Sequence, residues 1–154
     1  MTNAMINLIN RWQLWAVALL FTVSVPSVAQ DTAAVSTEEA QAALDAANAW
    51  LALIDDLNYA ESWQQAASLL QEQTNQVGWE QQLRTVRGSL GPLLSRAPQD
   101  RERATALPDA PEGEYVIITY GSSYTQLEDA VESVTMVKAD DGTWRGMAYT
   151  VQPG

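Results

Sequence analysis

Histidine and cysteine are both missing from the 154 residues, so any proton transfer must run on Asp, Glu and Tyr. Thiolate nucleophiles, Cys or His metal sites, disulfides and every His-dependent triad are excluded with them. Two carboxylates stand in telling places. Asp55 closes a helical run, where the macrodipole disfavours negative charge. It reads as a general base or cation ligand at a pocket mouth, or, more simply, as a solvated turn carboxylate bonding the backbone that leads into the next helix. Glu132 lies inside a run of β-formers, and Glu114 opens the strand before it. Either is placed to meet Arg87 or Arg96, in a pair that ties elements together or seats an anionic ligand where one partner faces a cavity. Tyr59 or Tyr120 would then polarise a carbonyl while Asp55 or Glu132 acts as base, enough for a small isomerase or lyase.

Other signatures are missing. There is no glycine-rich phosphate loop, Gly-x-Ser-x-Gly elbow or HExxH-like pair. Asp140-Asp141-Gly142 lacks the alternating oxygen ligands and closing Glu of a calcium loop and reads as a hairpin. No metal site and no cofactor are expected.

The elements that must position these residues follow from periodicity. Leu44, Ala47, Leu51 and Ile54 fall on one face of a first helix, over about 37–56, with Ser36 and Glu39 as a capping box. Asn58 precedes a second helix in which Tyr59, Trp63, Ala66, Ala67 and Leu70 share a face. Thr74 or Asn75 caps a third, with Trp79, Leu83 and Val86 as its apolar stripe and Gly88 as its end. After Gly91-Pro92 the period changes. Leu93 to Arg96 begin an edge strand with a bulge, because Pro98 removes a ladder donor. Residues 108–113 reverse the chain. A central strand runs from Tyr115 to Tyr120, a polar connection from Gly121 to Asp129, and further strands over 130–138 and 144–152 flank the Asp141-Gly142 hairpin. Helices first and then an antiparallel meander is an α+β pattern: three N-terminal helices packed on a curved antiparallel sheet of three to four strands. Trp50, Trp63, Trp79 and Trp144, spread over helices and last strand, read as core filling.

Residues 1–29 have the layout of a secretory signal: Arg11, an uncharged run from Trp12 to Val25, the breaker Pro26, and Ser27-Val28-Ala29 before an expected cut. Gln13, Ser24 and Pro26 interrupt the run, which falls short of the ~20 apolar residues that an unbroken span needs. Residues 30–36 read as a flexible lead and 37–154 as a single α+β domain, periplasmic or secreted. The chain carries 8 Lys+Arg against 19 Asp+Glu, a net charge of −11. That balance repels phosphate backbones and anionic lipid, so no nucleic acid, and no membrane after signal cleavage, is expected as a partner.

Ala49-Trp50-Leu51 with Leu53-Ile54-Asp55, then Tyr59, Ser62-Trp63, Trp79, Arg87, Leu90-Gly91 and Arg96, resemble the N-terminal half of an exported bacterial family, domain of unknown function 4019. Leu107-Pro108, Ala110 to Val116, Glu132-Ser133-Val134, Asp141 to Arg145 and Tyr149 resemble its later motifs in order and spacing. The resemblance spans about residues 45–150 and implies no activity and no catalytic residues. More loosely, the order of elements is similar to the cystatin-like and nuclear-transport-factor-like cone, in which helices cover one face of a curved sheet and leave a cavity. Such folds include isomerases, dehydratases and binding modules, so the likeness does not select a function. With the catalytic repertoire so thin, the expectation is a non-enzymatic module that takes a small apolar ligand or a protein partner, with homodimerisation through the sheet as a further expectation. A carboxylate and tyrosine enzyme, or a structural role in envelope assembly, are the alternatives.

Overall fold

The structure, a computed structural model, describes residues 37–154. The expected signal segment, the lead and the Ser36 cap lie outside the described residues. Helix α1 (Thr37–Asp55) buries Ala43, Leu44, Ala47, Trp50, Leu51 and Ile54, the face set by their three- and four-residue spacing. It ends in a Schellman motif: Asn58 N–H donates to the Leu53 carbonyl at 2.8 Å and Leu57 N–H to that of Ile54 at 3.2 Å. Leu57 occupies the left-handed position with φ 63°.

The expected second helix is divided into α2 (Tyr59–Gln64) and α3 (Ser68–Gln73). Helical spacing continues through the break, but a distant strand claims the backbone: Ala67 N–H donates to the Gly146 carbonyl at 2.9 Å. The Gln71 amide bonds the freed carbonyls of Trp63 and Gln64 at 2.9 and 3.2 Å, so the interruption leaves them partnered. Helix α4 (Gln76–Leu90) starts where Asn75 Oδ1 accepts from Gly78 N–H at 2.9 Å. It passes the expected stop at Gly88 and closes at Gly91, whose φ of 71° suits glycine.

One serine ties three of these helices together. Ser62 Oγ, fully buried on α2, accepts from Trp79 Nε1 of α4 at 3.0 Å and donates to the Tyr59 carbonyl at 2.8 Å. Its own carbonyl accepts from Trp50 Nε1 of α1 at 2.7 Å. The two indoles stack at 5.8 Å between centroids.

Strands β1 (Leu93–Ala104), β2 (Tyr115–Tyr124), β3 (Leu127–Lys138) and β4 (Trp144–Pro153) form one antiparallel sheet in sequence order, completing an α+β fold. β1 is the expected edge strand, but it runs past Pro98 because register shifts at Leu93/Ser95 and Pro98/Asp100 absorb the missing donor. The supposed connection from Gly121 to Asp129 is mostly strand, broken by a tight turn at Thr125-Gln126 whose amides donate to the carbonyls of Pro92 and Leu90.

Alternation sends Val116, Ile118, Tyr120, Ser122, Tyr124, Ala130, Glu132, Val134 and Met136 into buried positions facing the helices. Tryptophan and aliphatic side chains pack together on that side. The opposite face, which includes Ile117, Thr119, Val131, Ser133 and Thr135, is half-buried and carries no charge at those positions. No helix among the described residues is long and apolar enough to cross a membrane.

A buried ion network and the cleft at its mouth

Glu132 projects from the middle of β3 with its side chain wholly buried. Its Oε1 accepts from Tyr149 Oη at 2.7 Å, Arg96 Nη2 at 3.0 Å and Tyr124 Oη. Oε2 accepts from Ser122 Oγ at 2.7 Å and from Arg96 Nε. Two N–H groups and three hydroxyls thus converge on one carboxylate, and β1, β2 and β4 each contribute to them.

Asp55, at the C-terminus of α1, completes the arrangement from the helical side. Its Oδ1 accepts from Arg87 Nη2 at 2.9 Å and Arg96 Nη2 at 3.1 Å, and its Oδ2 from Arg96 Nη1 at 2.6 Å. Arg96 bridges both acids in a two-sided fork, the geometry for which guanidinium is suited. Arg87 Nη1 donates to Tyr124 Oη at 2.7 Å and lies 3.8 Å from Glu132 Oε1. Two positive and two negative charges balance, and among the described residues no buried side-chain nitrogen or oxygen lacks a partner.

The electrostatics argue against proton abstraction by Glu132. Burial alone would raise the pKa of Glu132, but hydrogen bonds from Arg96 and Tyr124, the Arg96 charge and the Ser122 hydroxyl together hold it at about 2. A carboxylate so acidic is a poor base at neutral pH. Burial, and then the neighbouring Glu132, push the Tyr124 and Tyr149 hydroxyls upward, so both remain protonated donors.

Of the residues singled out in the sequence, Asp55, Arg87, Arg96 and Glu132 come together. Asp55 is therefore not the solvated turn carboxylate of the simpler reading; two arginines, 32 and 41 residues away, take it up and relieve its conflict with the helix dipole. Glu114 meets neither Arg87 nor Arg96. The strand register places it at the opposite end of the sheet, beside Arg103 at 3.1 Å and Lys138 at 2.9 Å. Tyr120 faces the helices but donates to Asn48 Oδ1 at 3.0 Å, and burial raises its pKa to about 12. Ser122 and Tyr124 are not singled out by the sequence, and Tyr149 enters there only through the family resemblance. The two-residue spacing of Tyr120, Ser122 and Tyr124 was the available signal, hidden by the loop-like composition around it.

Tyr59 lies at the mouth of the network. A cleft of about 790 Å³ opens there, lined by Asp55, Leu57, Tyr59, Arg87, Pro92 and Leu93 among others. It lies between the corner from α1 to α2, the end of α4 and the start of β1. Arg84 also borders it but is held by Glu80 on its own helix at 2.6 Å. Among the described residues, no cluster of Asp and Glu is arranged to hold a metal ion.

The sequence model of the family described as "Protein of unknown function (DUF4019)" matches residues 46–149, a span that holds every member of the ion network and nearly all of the sheet. No curated protein matches the chain.

Proposed function

The chain belongs to the DUF4019 family, and on that premise we propose that it is a non-enzymatic binding module that takes a small, largely apolar ligand in the cleft beside Asp55. The observation that carries this reading is a cleft of about 790 Å³, within the usual range for ligand sites, at the open end of an otherwise saturated ion network. The network is the rigid wall: every charge in it is paired, so the cleft keeps its shape without a ligand. The isomerase or lyase reading loses support, because Glu132 is held at about 2 and is sealed from the cleft by its own hydrogen bonds, while Asp55, which lines the cleft, already accepts three guanidinium N–H groups. Export rests on the pattern of residues 1–29 and places the domain in the periplasm or outside the cell; N-terminal sequencing of the protein recovered from that compartment, beginning at Gln30, would support it.

A fragment screen by NMR on the ¹⁵N-labelled protein tests the binding reading. Hits are expected to move the amide resonances of Leu57, Tyr59, Gly88 and Gly91 together. Hits scattered over the surface, or none at these residues, would refute it. The uncharged strip of Ile117, Thr119, Val131, Ser133 and Thr135 on the outer face of the sheet favours a second reading, self-association through that face, which a light-scattering mass of one chain would remove.

A further inference from the structure

The kind of ligand follows from three features of the cleft, given that it is a binding site. Tyr59 is only 5% exposed, yet its hydroxyl makes no hydrogen bond to any of the described residues. Arg87, 7% exposed, commits Nη1 and Nη2 to Tyr124, Tyr149 and Asp55 but leaves its Nε–H unused. Every fully enclosed polar side-chain atom among the described residues has a partner, so these two free donors sit where solvent or a ligand reaches them, and both residues line the cleft. Burial raises the pKa of Tyr59, which keeps its proton.

The third feature is Leu57. It stands at φ 63° and is 67% exposed, a branched apolar side chain in a left-handed position that glycine fills without strain. Neither packing nor backbone geometry accounts for leucine there, and such outliers gather at ligand sites. With Pro92 and Leu93 it gives the cleft an apolar wall.

Charge narrows the choice. Arg87 is balanced by Asp55 and Arg84 by Glu80, and the chain as a whole carries −11, so the site has no surplus positive charge for an anion. The Asp55 oxygens already accept three guanidinium N–H groups, so a cation finds no free counter-ion. We propose that the cleft binds an uncharged amphipathic molecule, its carbonyl-type oxygen accepting from the Tyr59 hydroxyl and the Arg87 Nε–H, its apolar body lying against Leu57, Pro92 and Leu93.

Three probes of one chain length and different head group test this: hexanamide, hexanoate and hexylammonium, each titrated into the ¹⁵N-labelled protein. Hexanamide is expected to bind tightest, shifting Leu57, Tyr59 and Gly91. Tyr59→Phe should weaken it about fivefold, the worth of one hydrogen bond, with an unchanged urea midpoint because the hydroxyl has no partner among the described residues. Leu57→Gly should raise the urea midpoint while weakening hexanamide, separating binding from folding. Tighter binding of hexylammonium or hexanoate at these residues, or undiminished hexanamide binding by Tyr59→Phe, would overturn the ligand class and leave the cleft as a binding site. No shift at these residues with any probe would overturn both.

Discussion

Glu132→Gln isolates the charge of the network, because the amide keeps the shape of the carboxylate. It leaves Arg87 and Arg96, whose side chains are 6% and 11% exposed, facing Asp55 alone. Breaking a buried ion pair from one side costs about 3–5 kcal/mol. A second route gives a similar figure. The folded-state pKa of about 2 against an ordinary 4.5 corresponds to about 3 kcal/mol at neutral pH. Since the folded pKa is the lower one, this stability is present above about pH 5 and is lost as the pH falls toward 2; by pH 3 about 2 kcal/mol has gone. Urea unfolding followed by tryptophan fluorescence, at pH 7 and pH 3, measures it. Wild type should exceed the variant by about 3 kcal/mol at pH 7 and by about 1 kcal/mol at pH 3. Carboxylates elsewhere, such as the exposed Asp141, titrate in both proteins and cancel. A gap under about 0.5 kcal/mol, or one that does not change with pH, would refute the account of Glu132 as a charge held by its donors. Should the variant not fold, the same term is read from the acid limb of the wild-type curve, whose steepest loss should fall below pH 4.

The rest of the fold offers equally direct checks. Arg96→Met should destabilise by about 3–5 kcal/mol, whereas Arg96→Met with Glu132→Leu should cost less than the two singles summed, since removing both partners leaves fewer unpaired charges; additive losses in the denaturation cycle would deny the coupling. Ser62→Ala strips the acceptor from the buried Trp79 indole and should lower stability by about 1–3 kcal/mol, seen as a reduced urea midpoint. Gly146→Ala would place a methyl group inside the Trp50 ring, and calorimetry should show a loss of about 1–3 kcal/mol; an unchanged melting temperature would mean that α1 and β4 are less closely seated than described.

The helices and strands were legible wherever one face meets one layer, as in α1, where apolar residues recur at helical spacing, and in Tyr115 to Tyr120, where β-formers occupy both faces. Legibility failed where a partner distant in sequence decides. Nothing near Ala67 announces that Gly146 will take its amide and split a helix. Ser122 and Tyr124 sit in Gly-Ser-Ser-Tyr-Thr-Gln, a composition that spells loop, and they become strand residues because a buried carboxylate needs their hydroxyls. The site was half visible for the same reason. Glu132 stood out as a charge among β-formers, and Asp55 as a charge at the wrong end of a helix, so each was marked by a local conflict. Their tyrosine and serine partners carry no such conflict, and Glu114 showed that a charge near a strand end is no guide to which arginine it meets.

The edge position of Arg96 bears on how the domain opens. β1 is twelve residues long, and most of them are exposed on both faces; Arg96, near its start, sends its guanidinium into the network. Beyond the register shift at Pro98 the strand relies chiefly on its ladder with β2 and on Arg103. Amide hydrogen exchange should therefore divide β1 in two: residues 100–104 open to solvent in small, frequent excursions, while those around Arg96 exchange only with the global unfolding of the core.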